Sequence, residues 1–152
     1  MNALCRLNTL LNTLLDLIAP VIDLTARFWV GWVFLKSGLV KIQSWESTVM
    51  LFQYEYNVPL LPPQLAAIMG TVTELVFPAL LILGLFGRAP AVILFFFNIV
   101  AVLSYPDISP AGVNQHIVWG IILAMLAVHG NGKLSLDSLF FRCKPASQNT
   151  AA

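Results

Sequence analysis

Charged residues are scarce in this sequence. Lys, Arg, Asp and Glu together make up 10% of its 152 residues, against about 25% in average soluble domains, and 59% of the residues are hydrophobic. This low share of charge excludes an ordinary soluble domain, and a net charge of +1 offers no basic patch for nucleic acid. The composition is that of an all-α protein embedded in a lipid bilayer.

Residues that carry metal or redox chemistry are also few. The two cysteines, Cys5 and Cys143, lie far apart in the chain and form no CxxC motif, so a dithiol relay is not indicated. His116 and His129 fall at opposite ends of one predicted span, whereas a haem held across a bundle needs histidines that face each other. Neither histidine has a second ligand at the spacing of a metal site. We therefore expect no metal, no intrinsic cofactor and no self-sufficient catalytic motif.

The N-terminus lacks the features of a cleaved signal peptide. Asn8, Asn12 and Asp16 interrupt its apolar run, and no A-x-A cleavage site follows. Leucines recur there at helical spacing instead. This pattern predicts an interfacial amphipathic segment over residues 1–17.

Long apolar stretches dominate the rest of the chain. Four of them approach the roughly 20 residues that cross about 30 Å of hydrocarbon: residues 18–42, 63–86, 88–104 and 113–130. An outer interfacial segment is predicted at 44–62, where aromatic residues follow helical spacing. Together these stretches predict one four-span membrane domain over 18–142, followed by a disordered tail over 143–152.

The positive charges are distributed unevenly along the chain. The N-terminal segment, the second loop and the C-terminal tail carry Arg6, Arg88, Lys133, Arg142 and Lys144. The first and third loops contain Glu46, Glu55 and Asp107 instead. The positive-inside rule then predicts an up-down-up-down four-helix bundle with both termini in the cytoplasm.

Two charged side chains lie within the predicted spans, where burying a charge in the bilayer costs free energy. Arg27 lies near the middle of the first span, and Glu74 reaches a similar depth when counted from the outer end of the second. A neighbouring guanidinium would keep that carboxylate charged. We predict an Arg27–Glu74 pair, with Asp23 as a second acceptor. The pair is compatible both with a structural clamp and with a functional site.

Other polar residues extend this group. Lys41 shares one helical face with Asp23, Arg27 and the glycines of the first span, so this face is predicted to point into the bundle. Asn98 falls near the middle of the third span and His116 near the outer end of the fourth. The predicted ligand-binding cluster within the membrane therefore comprises Arg27, Glu74, Asn98, His116, Asp23 and Lys41.

The order of several short motifs resembles that of DoxX-type membrane proteins over about residues 20–140. The motifs are the Arg27–Phe34 run with Gly38 and Lys41, then Glu74 with Leu83–Leu85 and Arg88, and the Gly130–Asp137 run. The resemblance implies that Gly31, Gly38, Gly84, Arg88 and Asp137 are family-signature positions. It also implies a four-helix bundle in the cytoplasmic (inner) membrane of a bacterium or archaeon, associated with redox complexes.

Three functions are compatible with these observations. The first is a redox-associated subunit that binds a quinone or another lipid-soluble ligand within the bundle, as an accessory subunit of a quinone-linked oxidoreductase. The alternative is a non-enzymatic membrane partner in assembly or stress response, and a further alternative is a small oligomeric transporter. Each would work in the lipid bilayer, as a homo-oligomer or in a complex with a redox protein partner.

Overall fold

The computed structural model describes residues 3–130, 132 and 134–140, and every regular element in this part of the chain is an α-helix. The helices are α1 (Ala3–Gln43), α2 (Trp45–Tyr54), α3 (Pro63–Leu83), α4 (Ala89–Ser104), α5 (Pro110–His129) and α6 (Leu136–Phe140). The prediction of an all-α fold is confirmed. The tail predicted over 143–152, and Cys143 with it, lies outside the described residues.

Three of these helices are long and apolar enough to cross a membrane, over Cys5–Gln43, Pro63–Leu83 and Pro110–His129. The 16 residues of α4 form a shorter apolar helix. Large apolar side chains such as Phe96, Ile121 and Val128 are exposed on the outer surface of these helices. A lipid environment accommodates such side chains, whereas water does not.

Proline and glycine set several helix boundaries. Pro63 and Pro110 stand at the first positions of α3 and α5, where a missing N–H leaves no helical hydrogen bond unmade. The fourth apolar helix therefore begins three residues before the span predicted at 113–130. Helix α3 ends at Leu83, before the end of the span predicted at 63–86, because Gly84 adopts a left-handed φ of 67° and stops the helix.

The first helix is longer than a membrane span. It has 41 residues and so measures roughly 60 Å, and it continues without interruption through the boundary predicted at residue 17. Every described side chain from Cys5 to Ile22 is exposed except that of Pro20, which is half-buried. That residues 1–17 lie in the membrane interface stays a prediction.

Two glycines bring α1 close to α3. A Cβ atom on Gly31 would lie 2.7 Å from the side chain of Ile82, and one on Gly38 would lie 3.0 Å from the side chains of Glu74 and Leu75. Residue numbers rise along α1 as they fall along α3, so the two helices are antiparallel. These contacts set the interhelical register, because only glycine permits so close an approach at both positions.

The apolar core lies where α1, α3, α4 and α5 meet, and it comprises Val30, Phe34, Leu81, Ala91, Leu94, Leu123 and Leu126. A smaller cluster of Phe52, Ala66 and Ala67 joins α2 to α3. We call the end of the molecule that carries α2 the α2 end. The opposite end, which carries the α3–α4 turn and α6, is called the α6 end.

Candidate functional site

Glu74 is the buried carboxylate of α3, with 6% of the residue exposed. Its Oε2 accepts a hydrogen bond from Lys41 Nζ at 2.5 Å, and its Oε1 accepts one from Ser37 Oγ at 3.2 Å. Lys41 Nζ also donates to Ser37 Oγ at 2.9 Å. The three side chains therefore form one charge-assisted network that joins α1 to α3.

The predicted Arg27–Glu74 pair is wrong. Arg27 lies beside Gly84, ten residues and roughly 15 Å along α3 from Glu74, and its Nη2 donates to the carbonyl oxygen of Leu134. The antiparallel register brings Gly38 to Glu74, and Lys41 follows Gly38 by about one turn. Lys41 is therefore the cation that reaches the carboxylate.

The predicted role of Asp23 as a second acceptor for this pair is also wrong. Its carboxylate lies beside Gly132, since a Cβ atom on that glycine would be 3.0 Å from Asp23 Oδ2. Asp23 precedes Arg27 by one turn of α1, so the register that carries Arg27 to the α6 end carries Asp23 there as well.

At the α6 end, the half-buried Asp137 ties α6 to the α3–α4 turn. The carboxylate of Asp137 accepts hydrogen bonds from the backbone N–H of Gly87 at 2.6 Å and of Phe86 at 3.3 Å. Its own N–H donates to the carbonyl oxygen of Gly84 at 3.2 Å. Arg27, which is 1% exposed, packs against the same turn. Arg27, Gly84 and Asp137 therefore belong to one tightly packed junction.

A cavity of about 490 Å³ lies beside the Lys41–Glu74 pair. Its polar lining comprises Lys36, Ser37, Lys41, Tyr56, Glu74, Tyr105 and His116, of which Lys36 is an exposed residue. Phe34 forms part of its apolar wall and packs edge to face on Phe97 and Trp119, with ring centroids 6.3 and 5.9 Å away. The volume is within the range of about 300–1,000 Å³ that is usual for small-molecule sites.

Asn98 and His116 join α4 to α5 at this cavity. Asn98 Nδ2 donates to the backbone carbonyl oxygen of His116 at 2.9 Å, and Asn98 Oδ1 lies 2.7 Å from His116 Nδ1. The imidazole packs edge-on against Trp119, with the ring centroids 4.7 Å apart. Asn98 is itself buried, so its amide holds the histidine ring in the cavity wall.

A second cavity, of about 200 Å³, is lined by Lys41 and Glu74 together with residues of α2, α3 and α4. The hydroxyl of Ser104 is among its lining groups, is fully buried and has no hydrogen-bond partner among the described residues. Tyr56 lines both cavities from the loop after α2. Burial, and secondly the negative charge of Glu74, raise the pKa of Tyr56, so its phenol stays protonated at neutral pH.

The structure divides the six predicted cluster residues between the two ends. Lys41, Glu74, Asn98 and His116 lie together at or beside the larger cavity, and Arg27 and Asp23 lie at the α6 end. Among the described residues no group of three or more His, Cys, Asp or Glu could hold a metal ion.

Several lining residues were missed by the sequence analysis. Ser37 precedes Lys41 by four residues, a spacing that brings two helical side chains together, so helical periodicity could have identified it. Trp119 follows His116 by three residues and offers the same signal. Tyr56 belongs to the helical spacing of aromatic residues at 44–62, but that pattern was interpreted as an interfacial segment and not as part of a site. Tyr105 lies in the loop after α4, and no periodic pattern points to it.

Known proteins match most of this chain. The DoxX family profile matches residues 22–106, a range that contains Ser37, Lys41, Glu74 and Asn98. An uncharacterized protein of Haemophilus influenzae is 32% identical over 130 residues, which cover 80% of this chain and 85% of that relative. The inner membrane protein YphA of Escherichia coli is 32% identical over 128 residues, which cover 78% of this chain and 89% of that relative. No protein of solved structure matches the chain significantly.

Proposed function

The chain belongs to the DoxX family, and from this premise we propose that it is a multi-pass protein of the bacterial inner membrane. Support comes from the apolar lengths of α1, α3 and α5 and from a relative that is named as an inner membrane protein. We propose further that α4 is a fourth span in an up-down bundle. The arginines at positions 6 and 88 favour a cytoplasmic location for both termini and the α6 end.

The function that this geometry supports best is binding of a quinone, or of a similar neutral lipid-soluble ligand, in the larger cavity. The observation that carries it is the combination of a cavity of about 490 Å³, aromatic walls and convergent polar groups. The opposite charges of Lys41 and Glu74 neutralise each other within the site, at an N–O distance of 2.5 Å. Lys36 also lines the cavity, but it is an exposed residue, so the buried part of the site carries no net charge. A neutral amphiphile therefore suits this buried part better than an ion does.

The polar groups match the oxygens of a planar ring. A Lys ammonium has three N–H donors, and those of Lys41 bind Glu74 and Ser37 at two positions, which leaves one for a ligand. The phenols of Tyr56 and Tyr105 add further donors to the lining. Phe34 and Trp119 supply aromatic faces and edges against which a ring packs favourably.

The protein would serve as a redox-associated subunit rather than as a complete oxidoreductase. Its sequence contains no CxxC motif, so a bound quinone would carry the electrons and exchange them with a protein partner. The role of this chain would be to bind and orient the ligand within the bilayer.

The test is direct binding of a short-chain benzoquinone, decylubiquinone, to the purified full chain, measured by quenching of tryptophan fluorescence. Ala101 lines both cavities, so the larger side chain of Ala101→Phe intrudes into the site and should weaken quenching strongly. Ala111→Phe makes the same exchange at an exposed position near the start of α5 and should leave binding intact. Equal binding by the two variants, or none by the wild type, would disprove the proposed site.

The alternative, a membrane assembly partner, is favoured by one observation. The first half of α1 carries exposed leucines, among them Leu7, Leu11 and Leu14, over a length that no other described helix covers. Co-purification of a stoichiometric protein partner that is lost when residues 1–17 are deleted would support this role over ligand binding.

A further inference from the structure

Asn98 determines which nitrogen of His116 carries the proton. The carbonyl oxygen of His116 can only accept, so the atom 2.9 Å from it is the amide nitrogen of Asn98. The amide oxygen of Asn98 therefore lies 2.7 Å from His116 Nδ1. Since two acceptors cannot bind each other, Nδ1 carries the hydrogen, and Nε2 of the neutral ring retains its lone pair.

The packing around this pair keeps the amide of Asn98 in contact with His116. Asn98 is buried, and a Cβ atom on Gly120 would lie 3.3 Å from its Nδ2. The close approach of α5 thus holds the amide against the backbone of His116. Lys41 and Glu74 cancel each other's charge and Lys36 adds a positive one, so the cavity supplies no net negative charge to hold a doubly protonated imidazolium. The fold itself sets the tautomer before any ligand enters.

We propose that His116 presents a hydrogen-bond acceptor to the larger cavity, which therefore binds a lipid-soluble hydroquinone or phenol in preference to the corresponding quinone. This inference rests on the proposed function and specifies the form of its ligand. A ligand hydroxyl donates to Nε2, whereas a quinone carbonyl would bring a second acceptor against it. Elsewhere in the cavity lining Lys41 and the tyrosines can donate, and a hydroxyl oxygen accepts from them as a carbonyl does.

The two redox forms of one short-chain benzoquinone differ in this donor and hardly in shape, so they test the inference directly. We expect decylubiquinol to bind the full chain more tightly than decylubiquinone, by roughly fivefold to a hundredfold, because the bound quinone covers the acceptor of the half-buried His116 without satisfying it. Affinities are measured anaerobically by tryptophan quenching. Equal affinity of the two forms overturns the inference and leaves the proposed function standing, whereas failure of both forms to bind overturns the proposed function itself.

Asn98→Leu removes the constraint on the tautomer. The ratio of the affinities for decylubiquinol and decylubiquinone should therefore fall towards 1. Asn114→Leu makes the same exchange at an exposed position of α5 and should keep the wild-type preference. An unchanged preference in Asn98→Leu would contradict the role of the amide.

The tautomer of His116 can also be measured directly in the wild-type protein, without any ligand. In protein labelled with ¹⁵N at histidine, the imidazole of His116 should show a protonated Nδ1 and an unprotonated Nε2. His129→Gln removes the other histidine signal and so assigns the resonances. A protonated Nε2 in His116 overturns the inference even if the Asn98→Leu protein does not fold.

Discussion

Buried charge occurs at both ends of this molecule, with opposite consequences. At the α2 end Lys41 meets Glu74 beside a cavity of about 490 Å³, and hydroxyls and an imidazole line the same space. At the α6 end Arg27 meets the backbone of a tight turn, with Gly84 against its guanidinium. A cation on the inward face of α1 therefore marks a candidate site only where the opposing helix leaves a space.

The comparison also separates two roles among the positions that the resemblance singled out. Gly84 and Asp137 hold the α6 end together through close packing and backbone hydrogen bonds. Gly31 and Gly38 set the register that delivers Lys41 to Glu74. These four residues thus build the scaffold, whereas Tyr56, Tyr105 and His116 line the cavity.

The largest effect is expected from breaking the pair at the α2 end. Glu74→Gln leaves the ammonium of Lys41 buried without its counter-charge, and we expect a loss of roughly 3–5 kcal/mol in unfolding free energy. The double variant Lys41→Gln/Glu74→Gln should lose less than this, because no uncompensated charge remains. Denaturant titration in detergent micelles measures both. Glu46→Gln, at an exposed position of α2, is the matched control, and a loss there of similar size would refute the explanation.

A somewhat smaller effect is expected from overpacking the α6 end. Gly84→Ala places a Cβ atom against Arg27 and 2.6 Å from the Cβ of Ser135, at a φ of 67°. Strained φ and overpacking together should destabilise the protein by about 2–5 kcal/mol, while affinity for the benzoquinone changes little. Thermal unfolding and tryptophan quenching measure the two quantities.

Gly87→Ala separates the effect of the strained φ from the effect of overpacking. Gly87 has a φ of 60° but nothing within 4 Å of its Cβ position, so only the strain of roughly 1–2 kcal/mol applies. If the two alanine variants are equally stable, then the contact between Gly84 and Arg27 does not contribute as described.

The smallest effect is expected in the exposed half of α1, which lies outside both regions. Leu14→Ser removes an exposed apolar side chain that no other described helix covers, so unfolding free energy should change by less than about 0.5 kcal/mol. Chemical denaturation of the purified protein measures it. A loss above about 2 kcal/mol would indicate that this surface is covered in the assembled protein.

Much of the fold was predictable because its causes are local. Pro63 and Pro110 begin helices and Gly84 ends one through the backbone geometry of single residues. Long apolar runs indicate helices that fit a bilayer without reference to any other part of the chain. The site was only half predictable. Lys41, Glu74, Asn98 and His116 stood out as polar residues in apolar helices. The spacing of Tyr56 indicated only an interfacial helix, and Tyr105 sits in a loop without a periodic signal, so neither could be assigned to the cavity.

The sequence by itself determined the helical class, the order of the apolar helices and the identity of the residues that are costly to bury. Only the tertiary structure decided which of those residues meet. Depth counted from a helix end suggested Arg27 as the partner of Glu74, but Gly31 and Gly38 seat α1 on α3 in a register that brings Lys41 there instead. Register depends on the fit of side chains from distant parts of the chain, and spacing within one helix contains no information about that fit.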